Sequence, residues 1–177
     1  MTNESLLQEV ERVDAFLAEE KFLLGPPPVW QRTPKWGGEY VAVWNIIDAL
    51  EAPIAVINCF AKIRNTGVAG LNVCYRGHRV WSVHTDLPEV CHSNPHDAHV
   101  LGLDPEVCGS HEHAWPINRA HILGQDLWDL PYRRPVAVRR LSAALALLAD
   151  QINLTLTPDQ RTFDGPTKGD LFDMVSA

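Results

Sequence analysis

Apolar positions recur at helical spacing near the start of the chain. Leu6, Val10, Val13 and Leu17 share one stripe, with Glu9, Glu11, Arg12, Glu19 and Glu20 largely opposite. A stripe on a 3.6-residue period predicts an amphipathic helix over residues 4–23, with Ser5 placed to cap it. Gly25 and then Pro26-Pro27-Pro28 stop that helix and start a stiff, extended exit.

The period then changes. Tyr40–Ile47 and Ile54–Ile63 are rich in β-branched and aromatic residues, with Asp48–Pro53 as a turn between them. Val68–Tyr75 and Arg79–His84 form the next pair. Arg76-Gly77-His78 reads as a tight hairpin turn, with Gly77 free to take positive φ. Four such segments in sequence predict an antiparallel meander with one face buried and one face available.

Pro88, Pro95, Gly102, Pro105 and Gly109 break every period over 85–110, which reads as loop. His111–Leu123 has room for one further strand, bent at Pro116, and Gln125–Pro135 is another loop. Val138, Leu141, Leu145, Leu148 and Ile152 make a second helical stripe. This predicts a helix over Val136–Ile152 with Pro135 in its first turn. A polar tail follows.

The expected fold is α+β. An antiparallel sheet of four to five strands is flanked by an N-terminal and a C-terminal helix, with a long His/Cys-rich loop. A length of 177 residues suits one domain over 1–177. Its parts are an N-terminal helix in 1–25, a β-rich core in 29–84, the His/Cys-rich region in 85–135, a helix in 136–152 and an irregular tail in 153–177.

Charge narrows the partners. A net charge of −7 argues against binding duplex DNA, which needs a basic face. No run of about 18 apolar residues is present, so no membrane span is expected. Residues 1–25 lack the basic and apolar regions of a secretory signal. Cytoplasmic location is therefore expected, with Cys59, Cys74, Cys91 and Cys108 as unpaired thiols. Phosphate-loop, dinucleotide and nucleophile-elbow motifs are all absent.

Candidate chemistry lies in CHSNPHDAHVLGLDPEVCGSHEHAWPINRAH. Cys91–His121 holds six of the chain's eight histidines. His111-Glu112-His113 is its sharpest feature, because in an extended segment His111 and His113 point to one face. With Cys108 and His99 they offer the N and S ligands that zinc takes. The same histidines, with His84 as a partner and Arg119 as anion holder, would instead support metal-free acid/base cleavage of a phosphodiester.

The leading expectation is a small cytoplasmic hydrolase acting on a phosphoester, with RNA one such substrate. It would work by histidine acid/base or metal-assisted chemistry. The alternative is a non-enzymatic interaction module with a structural zinc site or a partner-binding His/Cys loop. A third reading gives the histidines no special role. Arg133-Arg134 and Arg139-Arg140 are read as a solvated basic face. Trp30, Trp36 and Trp128 are read mainly as core.

Overall fold

The structure, a computed structural model, describes residues 3–33, 39–62, 65–125 and 128–166. The expected tail beyond 166 and Trp36 lie outside the described residues.

The first helix, α1, spans Asn3–Ala18 and buries Leu6, Val10, Val13 and Phe16. It ends earlier than its periodicity predicts. Lys21–Leu23 is a strand, β1, in which Lys21 and Leu23 face inward. The Lys21 side chain explains the stop. It is fully buried, and its Nζ donates to the carbonyls of Leu17, Glu19 and Ile152. One ammonium thus satisfies free carbonyls at the ends of two helices, where a cation also meets the negative pole of the helix dipole.

The meander is present. Strands β3 (Glu39–Ile47), β4 (Pro53–Lys62), β5 (Asn65–Tyr75) and β6 (His78–Thr85) pair in sequence, all antiparallel. At the β5–β6 turn Arg76 has φ 50° and Gly77 φ 84°. Positive φ at both central residues gives the turn the twist that a two-residue hairpin needs.

The sheet is larger than four or five strands and is not a simple meander. Among the described residues it has nine strands. Strand β2 (Gln31–Thr33) pairs with β3, and β1 pairs with β3 on one side and with β11 (Leu154–Thr155) on the other. The β1–β11 pairing is parallel. At the opposite edge β9 (His111–His113) adds to β6, and β10 (Arg134–Pro135) adds to β9. These added strands are two or three residues long, too short to show a period of their own.

Residues 85–110 are not all loop. Strands β7 (Cys91–Ser93) and β8 (Glu106–Cys108) form a separate antiparallel hairpin around a short 3₁₀ helix over Ala98–Leu101. Their register sets Cys91 opposite Cys108, and the two are joined as a disulfide. Cys59 and Cys74 remain free. The cytoplasmic expectation drew on unpaired thiols, and that premise does not hold for Cys91 and Cys108.

Pro116 does not bend a strand. It lies in the first turn of α2 (Trp115–Gln125), where a missing N–H costs nothing. The C-terminal helix, α3, is Leu141–Gln151, shorter than expected because Pro135 is in β10 and Val136 N–H is held by the Ser110 carbonyl. A last short helix, α4 (Pro158–Arg161), carries a capping box between Thr157 and Gln160.

One face of the sheet is the core. Trp44, Ile57, Leu71, Val73, Trp81 and Val83 pack there with Val10 and Val13 of α1 and Leu141, Leu145 and Leu148 of α3. No helix of the described residues is long and apolar enough to cross a membrane.

Candidate metal centre

The other face of the sheet carries the candidate site. Side chains alternate along β6, so Trp81 and Val83 enter the core while Ser82 and His84 face away. In the β6–β9 register, His84 stands opposite His111 and Ser82 opposite His113. His111 and His113 therefore share a face, as their spacing predicts, and pairing brings His84 to them. The ring centroids are 4.9 Å apart for His84–His111, 5.5 Å for His84–His113 and 5.4 Å for His111–His113.

Glu112 points the other way. Its carboxylate accepts from Arg134 Nε at 2.6 Å and from the buried Trp81 Nε1 at 2.9 Å. Thus the middle residue of the motif anchors the edge strands, while its neighbours face the cleft.

Hydrogen bonds define the protonation pattern of two rings. His111 Nδ1 lies 3.0 Å from the Gly109 carbonyl, and His113 Nδ1 lies 2.5 Å from the Leu130 carbonyl. A carbonyl only accepts, so each Nδ1 carries the proton. In the neutral ring Nε2 is then a bare lone pair, the form that binds a metal. His84 Nε2 is buried and has no hydrogen-bond partner among the described residues. One ligand nitrogen from each of the three rings lies within 4.8 Å of the others.

The rings are held neutral. Burial, then the closeness of His111 and His113, which opposes a second positive charge, pulls His84 down to about 3. Burial likewise pulls His113 down to about 3, against its bond to Leu130 and helped by Arg133. His111 is lowered as well, first by burial. A buried polar atom without a partner costs about 1–3 kcal/mol, which sets His84 Nε2 apart from the satisfied Nδ1 atoms of His111 and His113.

A cleft of about 470 Å³ opens over the cluster. The hairpin supplies His92, Ser93, Asn94 and Pro95; the segment before β10 supplies Asp129, Leu130, Pro131 and Arg133; and β6 supplies Arg79. Asn94 ties these walls together. Its amide accepts from Arg133 N–H and donates to the carbonyls of Arg133 and Asp104. Asn118, fully buried on α2, does the same for Tyr132. The segment whose Leu130 carbonyl holds His113 is thereby fastened at the two adjacent residues that follow Pro131. His92 Nε2 is 2.9 Å from Asp86, whose carboxylate also lies 3.8 Å from His111 Nδ1.

The remaining expected residues lie elsewhere. Cys108 is locked in the disulfide and has no thiolate to give. His99 is exposed on the 3₁₀ helix, with its Nδ1 on the His96 carbonyl. Arg119 does not line the cleft: its guanidinium is bound to Asp14 of α1, Nη2 to Oδ2 at 2.7 Å. Arg133, read from sequence as solvated surface, lines the cleft, and Arg134 pairs with Glu112. Asp86, Asn94 and Asn118 carried no sequence signal, since nothing local marks an Asn whose partner is a distant backbone.

Compared with known proteins, the chain matches no family model, no curated protein and no solved structure.

Proposed function

We propose that this chain is a metal-assisted hydrolase acting on a phosphoester, with His84, His111 and His113 as the ligands of one zinc-type ion. The carrying observation is the convergence of three neutral imidazoles, two with Nδ1 spent on carbonyls and the third with a buried, unpartnered Nε2. Three protein nitrogens with an open fourth position are the donor set of a catalytic rather than a structural zinc site. The ion would supply a bound water acidic enough to attack near neutral pH.

Burial of the rings and the Cys91–Cys108 bond favour this over metal-free cleavage and over a structural zinc module. Metal-free acid/base cleavage needs one histidine protonated near neutral pH, and His84 and His113 sit at about 3. A structural zinc module needs a fourth protein ligand; Cys108 is bound to Cys91, and the Asp86 and His92 side chains beside His111 are paired with each other.

The test starts with protein purified without a histidine tag. Zinc titration is expected to give about one ion per chain, and zinc-dependent hydrolysis of p-nitrophenyl phosphate or its bis-ester is expected to follow. His111→Ala and His113→Ala should each lose both. Protein that takes up no zinc at micromolar concentration and cleaves neither ester would overturn the proposal.

A further inference from the structure

We infer that the cleft is an oxyanion subsite in which Arg79 and Arg133 hold the terminal phosphate of a small phosphomonoester beside the three histidines. The reaction rests on the hydrolase reading above; the subsite itself does not.

Both arginines line the cleft, with Asp129 as the only lining carboxylate among the described residues. Asp129 is half exposed, and its oxygen is 3.6 Å from Arg79 Nη2, outside hydrogen-bond reach. Such an exposed pair is weak. No side-chain hydrogen bond engages Arg79 among the described residues. Arg133 is different. Its Nη1 donates to the Ser93 carbonyl at 2.6 Å and to the Pro131 carbonyl at 3.3 Å. These bonds hold the guanidinium at the rim and leave Nε and Nη2 unpaired among the described residues.

The two charges also feel each other. Burial lowers Arg133, Asp129 opposes that, and Arg79 adds to it. Both arginines also help keep His113 neutral. An acidic protein with a net charge of −7 thus concentrates positive charge in one small cleft. A guanidinium fork matches the oxygens of phosphate, and two forks suit a dianion.

Size and charge select the substrate class. About 470 Å³ lies within the range of small-molecule sites. A polyanion such as RNA would need a basic track beyond the cleft, and the overall negative charge opposes it. Hydrolysis balances simply: the water oxygen bonds to phosphorus and the ester P–O bond breaks. One water proton passes to the leaving alcohol, and the other stays with the phosphate left on the arginines.

Inorganic phosphate is the probe, titrated calorimetrically into chelator-treated and zinc-loaded protein. Phosphate is expected to bind even without zinc. Arg79→Met should weaken it at least about tenfold, the loss of a charge-assisted bond. Asp129→Asn should tighten it, and zinc affinity in Arg79→Met should be unchanged or higher. Arg133→Met tests the second fork; if its lost tethers prevent folding, Arg79→Met and Asp129→Asn still decide. Among esters, p-nitrophenyl phosphate should be cleaved in preference to the bis-ester and to a short RNA. Phosphate binding that is absent, or indifferent to Arg79→Met and Asp129→Asn, overturns the subsite, and preference for RNA or the diester overturns the substrate class. Phosphate binding with neither zinc uptake nor ester cleavage upholds the subsite and removes the hydrolase reading.

Discussion

Acid should unfold the metal-free protein through His84 and His113. Their native values lie at about 3, against the ordinary 6.5 expected in the unfolded chain. Between those limits the unfolded state binds more protons, so stability rises with pH and is lost as pH falls below 6.5. One pKa unit corresponds to about 1.36 kcal/mol. From pH 6.5 to pH 5 the two rings therefore cost up to about 4 kcal/mol together. The cleft side of the cluster meets solvent, so about 2 kcal/mol is the working figure. Even that is a large part of the roughly 5–15 kcal/mol that holds a typical domain. His111, His92, Asp86, Arg79 and Arg133 also face the pair. For that reason the assay is differential: urea unfolding at pH 7 and pH 5, in chelator, for the parent and for His84→Gln with His113→Asn. The parent should lose about 2 kcal/mol more than the double variant. Equal losses would refute the reasoning, because the rings would then be protonated as readily in the native state as in the unfolded one.

Other consequences are as direct. A Cβ at Gly70 would lie 2.3 Å from Phe60 Cζ, and Phe60 packs edge-on against His84. Gly70→Ala should cost about 1–3 kcal/mol in urea unfolding and weaken zinc binding, and adding Phe60→Ala should recover part of the packing strain. Glu112→Ala strands the buried Trp81 indole N–H and should cost about 1–3 kcal/mol of unfolding free energy. Zinc affinity should barely change in that variant, because Glu112 faces the core; a large loss of zinc would contradict the alternation along β9. Lys21→Met leaves carbonyls at two helix ends without their donor and should lower stability by about 2–3 kcal/mol, read by thermal melting at pH 7. Reducing Cys91–Cys108, with a separation of 17 residues, should remove about 3 kcal/mol by the loop-entropy argument. Thermal melts of the hairpin-bearing protein with and without dithiothreitol check this.

The readable parts of this chain were those whose signal is local. Alternating residues from Tyr40 to His84 specified the meander, since each strand is long enough to repeat its period. The same alternation put His111 and His113 on one face from two residues alone. Sequence also singled out the segment that lines the candidate cleft, because histidines crowded a stretch unsuited to core. Tertiary structure decided what that crowd amounts to. Pairing of β9 with β6, across 26 intervening residues in the partnered His84–His111 pair, selected His84 as the third ring. The β7–β8 register turned Cys108 from a ligand candidate into half of a disulfide. Asp14 claimed Arg119, and the Asn94 and Asn118 amides brought Arg133 to the cleft in its place. Such choices depend on which distant segments close together, and strands of two or three residues carry too little periodicity to announce it. The sequence supplied the histidines and one shared face; long-range pairing chose which of them meet.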